Sequence, residues 1–193
     1  MLSMSEIARG VQGAVRLLRG DRGAPFNFDS TVEACARSFR LMLVVAPLYA
    51  FYLLIEYVDF DVAAEAWQIA SAEGLRYLLE WLLYPVLFYE IARRRGWLDK
   101  YFRYITALNW INLPSAILLV MGAVLMAVAP AGVATLISLA VTAVIFYWFL
   151  MATRLILGVG WPMAGLLLVV NCVPMLFISL IITRILEVTV VAL

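Results

Sequence analysis

Asn109, Asn112, Asn171 and Glu80 stand inside runs of residues otherwise suited to lipid. An amide both donates and accepts, so intramembrane asparagines can do two things. They bridge packed helices for roughly 0.6–2 kcal/mol, or they coordinate a small polar solute. Asn109 and Asn112 are three apart and share a helix face, with Thr106 one turn before Asn109. Glu80 has Arg76 four residues earlier, where the two can pair. A carboxylate at membrane depth is usually a marker of an ion or solute path. The competing reading of Glu80 is an ion pair fixing the outer end of a helix. No apolar run places an unpaired carboxylate at its centre, which counts against a proton-coupled pump.

Catalysis finds less to work with. The chain has no histidine and two cysteines, Cys35 and Cys172, whose positions suggest neither a disulfide nor a metal site. There is no Gly-rich phosphate loop, no nucleophile–base pair and no zinc-ligand spacing. We therefore expect no enzymatic activity, no catalytic, cofactor-binding or metal-binding residues, and no nucleic-acid partner.

The elements that must position the four polar groups are long and apolar. Of 193 residues, 66% are hydrophobic, against about 45–50% in ordinary soluble domains. The excess falls into five segments, approximately 39–58, 75–92, 104–128, 133–157 and 162–183. Each is long enough for a hydrocarbon core of about 30 Å at about 1.5 Å per residue. None alternates strictly, and unpaired backbone is not tolerated in lipid, so helices are expected rather than a barrel. The expected fold is all-α and polytopic: residues 1–30 form a cytoplasmic basic segment and loop, and residues 31–193 a five-helix transmembrane domain. Pro47, Pro85, Pro114 and Pro174 fall within four of the spans and should bend them or free a carbonyl. Ser115, Gly122 and Ala123 in the third span, and Ser138, Ala140 and Thr142 in the fourth, predict close helix contact.

Arginine and lysine set the orientation. Arg9, Arg16, Arg19, Arg22, Arg37 and Arg40 precede the first span or open it. The following loop holds Asp59, Asp61, Glu65 and Glu73 and no base; the next holds Arg93, Arg94, Arg95, Lys100 and Arg103. This alternation predicts a cytoplasmic N-terminus, an outer C-terminus and residence in the cytoplasmic (inner) membrane. Ahead of the first span, Ile7, Val11, Ala14, Val15 and Leu18 recur at helical spacing among Arg9, Arg16, Arg19 and Arg22. An amphipathic helix on the anionic cytoplasmic leaflet suits that pattern, although Gly10 and Gly13 each weaken a helix by roughly 1 kcal/mol. A disordered basic tail that only sets topology is the alternative. Ser30 and Glu33 have capping-box spacing, so the first membrane helix should start near Thr31.

Over residues 99–184 the chain resembles the Yip1-like membrane proteins, particularly their bacterial relatives. The likeness lies in "DKYFRYITALNWINLPSAILLV", the uncharged hairpin "VAPAG", "FYWFLMATRLILGVGWPMA" and a last apolar span. The eukaryotic "DLAGP" motif is missing, so no small-GTPase partner is implied. The resemblance implies a five-helix, non-enzymatic protein acting through membrane organisation. Two functions are thus expected. One is an inner-membrane scaffold or accessory protein that binds membrane-protein partners or itself. The other is a small permease or channel for a polar solute, lined by Asn109, Asn112, Asn171 and Glu80.

Overall fold

A computed structural model of the chain describes residues 3–62, 64–186 and 188–190. Seven α-helices follow one another: α1 Met4–Leu18, α2 Val32–Ser38, α3 Leu41–Glu56, α4 Ala66–Arg95, α5 Leu98–Val128, α6 Ala131–Leu157 and α7 Trp161–Ile185. The only other regular structure among the described residues is two 3₁₀ turns and a minimal antiparallel ladder. In that ladder β1, Phe60–Val62, pairs with β2, Val188–Val190, Phe60 opposite Val190. The side chains of Asp59 and Asp61, read as part of an acidic loop, lie outside the described residues.

Four helices are long and apolar enough to cross a membrane: Val32–Glu56, taken through its bend, Leu98–Val128, Ala131–Leu157 and Trp161–Ile185. Their apolar side chains are largely on the outside; Leu136, Leu139, Phe177 and Leu180 are each about 60% exposed. Surface of that kind and extent is matched to a hydrocarbon environment. The fifth expected segment, 75–92, lies within α4, which is 30 residues long but holds Glu73, Arg76, Glu80 and Glu90 along its length. That charge keeps α4 out of the set defined by apolarity alone.

Local chemistry sets the helix ends. α4 starts at Ala66, well before Leu75, because Glu65 and Gln68 form a reciprocal capping box. Gly96 and Gly158 close α4 and α6 in the left-handed region, at φ 71° and 73°, where a Cβ would be strained. The first membrane helix is capped by Thr31, whose side chain accepts from the Ala34 N–H at 3.2 Å. The box expected of Ser30 and Glu33 is not formed; besides that of α4, one lies at Ser3 and Glu6 of α1. Between α2 and α3 the amides of Arg40, Met42 and Leu43 bond to carbonyls three residues back, a 3₁₀ tightening. The helices run on through Pro47, Pro85, Pro114 and Pro174.

The tightest packing sits at the end of the bundle carrying α1 and α2. Tyr84, Phe88, Tyr104 and Phe149 interlock there, with ring centroids 4.7 to 6.5 Å apart. A hydroxyl chain threads the cluster: Tyr84 to Tyr104 at 2.9 Å, Tyr104 to Thr153 at 2.8 Å, and the Thr153 hydroxyl donating to the Phe149 carbonyl at 2.8 Å. Helix α1 caps this end. Its buried face is Gly10, Gly13, Ala14 and Leu17, and the Trp148 indole N–H donates to the Ala14 carbonyl at 2.6 Å. A Cβ on Gly10 would overlap the ring of Trp110. The glycines that weaken α1 as an isolated helix are what let it seat on the bundle.

Candidate functional site

Between α3, α4, α5 and α7 lies a cavity of about 410 Å³, closed on one side by Ile145, Phe146 and Phe149 of α6. That volume is in the range of small-molecule sites. Glu80, Asn109, Asn112 and Asn171 all line it. Residues from three separate helices, 91 positions apart at the extremes (171 − 80), are thus brought to one partly open cavity.

They do not play one part there. Asn109 is buried, 3% exposed, and its Nδ2 donates to Ser38 Oγ at 2.9 Å. The Ser38 hydroxyl in turn donates to the Cys35 carbonyl at 2.7 Å. That amide ties α5 to the bend between α2 and α3. Asn112 and Asn171 are half-buried, and among the described residues their side chains make no hydrogen bond. Ser115, one turn beyond Asn112 on the same wall, is 6% exposed, and its Oγ has no partner among the described residues. A buried polar atom without a partner costs about 1–3 kcal/mol. Three adjoining groups without protein partners therefore favour something that fills the space and bonds to them.

The charged end of the cavity belongs to α4. Glu73, Arg76 and Glu80 recur at three- and four-residue spacing and so share a face. Glu73 is the most enclosed charge of the three, its side chain 3% exposed. It accepts from the hydroxyls of Tyr49 at 2.9 Å and Tyr57 at 2.7 Å and pairs with Arg76 at 3.3 Å. Arg76 Nε also donates to the Tyr49 hydroxyl at 3.0 Å. Glu80 is 3.6 Å from the same guanidinium. The expected pair of Arg76 and Glu80 is present, but Arg76 is shared, and Glu73 has its better geometry. Hydropathy sets Glu73 at the edge of the span, in the acidic loop or as an extension of the span together with Arg76, because the apolar run begins at Leu75. The 73–76–80 spacing was the signal that could have assigned it to the helix.

The N-terminal arginines divide in a similar way. Arg16 is engaged within the protein, its Nε on Asp21 at 2.7 Å and its Nη1 on Asn27 at 2.8 Å. Arg9 stands 3.7 Å from Asp29, while Arg19 and Arg22 are exposed. Glu6 of α1 pairs with Arg37 of α2 at 2.8 Å. The Ser3 backbone N–H, and then Arg37, hold the Glu6 carboxyl below its usual range; Arg16 does the same for Asp21. The small, apolar side of α1 faces the bundle, and the basic residues ring its outer side.

No family model, curated protein or solved structure matches this chain.

Proposed function

We propose that this chain is a five-span membrane protein that binds a small polar or amphiphilic molecule in the cavity between α3, α4, α5 and α7, and passes it across the membrane as a small permease. The observation that carries this reading is the convergence of Glu80, Asn112, Asn171 and Ser115, which lack hydrogen-bond partners among the described residues, on one cavity of about 410 Å³. Mortar between helices is expected to be satisfied by neighbouring helices, as Asn109 is by Ser38. The fifth span is α4, whose Glu73, Arg76 and Glu80 share the face towards Tyr49, Tyr57 and the cavity. The Yip1-like likeness accords with five spans. Arg93, Arg94 and Arg95 at the end of α4 favour a cytoplasmic position for that end and for α1, with the C-terminus outside. Arg19 and Arg22 would then meet anionic headgroups.

The test separates lining from mortar. Purified protein in proteoliposomes is screened for uptake of a panel of labelled polar solutes. Asn112→Leu with Asn171→Leu should abolish the uptake seen in the wild type and leave the melting temperature within a few degrees. Asn109→Leu should instead cost about 0.6–2 kcal/mol of stability. A wild type that moves nothing, with a double variant that fails to assemble, would overturn the proposal.

A scaffold role has one observation of its own. Thr135, Ser138 and Thr142 lie on one exposed face of α6, where lipid gains nothing from hydroxyls. Purification from native membranes in mild detergent should then yield a stoichiometric partner or homo-oligomer that Ser138→Leu with Thr142→Leu releases.

A further inference from the structure

Resting on the cavity reading above, we infer that the site selects an organic cation: an ammonium group carried on an apolar body. The inference starts from how α4 distributes its charges. Arg76 is the only base facing Glu73 and Glu80 among the described residues lining or backing the cavity. Its hydrogen bonds go to Tyr49 and Glu73. Glu80 accepts no hydrogen bond among the described residues, and its contact with Arg76 is 3.6 Å. It is also the less enclosed of the two, its side chain 39% exposed against 3% for Glu73. One guanidinium therefore serves three carboxylates, Glu73, Glu80 and, at the end of α3, Glu56, and the one that lines the cavity, Glu80, accepts no hydrogen bond among the described residues. At the mouth of a cavity within an apolar bundle such an imbalance is costly, and a bound positive charge lowers it.

The walls agree in kind. Tyr52, Trp81, Tyr84, Phe146 and Phe149 line the cavity together with Glu80. Aromatic faces beside a carboxylate are the usual recognition chemistry for substituted ammonium groups, which are attracted to the ring quadrupole without needing to be fully hydrated. The second, independent sign of a ligand is Ser115: buried, without a partner, and on the cavity wall with Asn112. Its hydroxyl and the two free amides offer acceptors to N–H groups, or to a polar substituent on the ligand's body. An anion would meet Glu80 with no free base opposite.

The experiment uses the full chain in lipid nanodiscs and two probes of the same shape. These are benzyltrimethylammonium and its uncharged isostere neopentylbenzene, titrated by calorimetry. The wild type should bind the cation at least tenfold more tightly than the isostere. Glu80→Gln should remove that preference, and Glu80→Asp should retain most of it. Ser115→Leu, which fills part of the cavity, should weaken both probes. Equal binding of the two probes, both weakened by Ser115→Leu, would overturn the charge selectivity and leave the cavity reading intact. Binding of neither probe would overturn the inference, and solute uptake by the wild type would then decide the cavity reading separately. If Glu80→Gln does not fold, the comparison of probes on the wild type still decides.

Discussion

Gly10 and Trp110 show how much can depend on one missing methyl. The indole occupies the space a Cβ would need, so Gly10→Ala must push α1 off its seat or drive Trp110 from its rotamer. Overpacking of this kind costs about 1–3 kcal/mol. Thermal melting and protease cleavage at Arg9 and Arg16 check it: the variant should melt earlier and be cut faster. An unchanged cleavage rate would mean that α1 is not held where the structure has it. Sequence made the polar residues of the site legible one by one, because lipid makes any amide or carboxylate in an apolar run conspicuous. It could not tell Asn109 from Asn112. The difference between a satisfied amide and a free one is made by Ser38, on another helix.

At the scale of elements, α4 carries the most consequence. Its 30 residues are long enough to cross, and its most enclosed charges, Glu73 and Arg76, are paired with each other and bonded to tyrosines. An unpaired charge at a helix centre costs about 2.5–3.5 kcal/mol on insertion scales, and pairing lowers that. If α4 crosses, Glu65 and Arg95 lie on opposite sides of the membrane. Single cysteines at those positions, in a chain with Cys35 and Cys172 replaced by serine, should label from opposite faces of sealed vesicles. Labelling from one face would return the count to four. The apolar helices were legible from length alone, since lipid permits few alternatives. The start of α4 was not, because its first turns are held by polar Glu65 and Gln68, which lower the local hydropathy to that of a loop, and by Tyr49 and Tyr57 from outside the helix.

For the whole molecule, the N-terminal layer adds ion pairs to the apolar contacts that seat it on the bundle. Within the layer, Glu6 to Arg37 and Arg16 to Asp21 are ion pairs, whereas α5, α6 and α7 meet through apolar side chains. Both carboxyls have folded values below their ordinary 4.5 and 3.8. Their contribution is therefore complete above those ordinary values and is lost as pH falls through the lowered ones. Acid should loosen α1 while the bundle stays helical. The checks are protease cleavage at Arg9 and Arg16 together with far-ultraviolet circular dichroism between pH 6 and pH 3 (roughly, the span of carboxylate titration). Glu6→Gln with Asp21→Asn should remove most of that dependence. Packing of this sort leaves little trace in a single sequence, because the contacts join segments that no local periodicity connects.

The bond from Trp148 to the Ala14 carbonyl spans 134 residues, and its length has a meaning for how the chain is made. At about 5–20 residues per second, translation reaches Trp148 roughly 7–27 s after Ala14. A 15-residue helix with two glycines is marginal on its own in water, so throughout that interval α1 lacks the surface that completes it. Docking of α1 comes only after α6 exists. An undocked first helix would accordingly mark a nascent chain, or one cut short before α6.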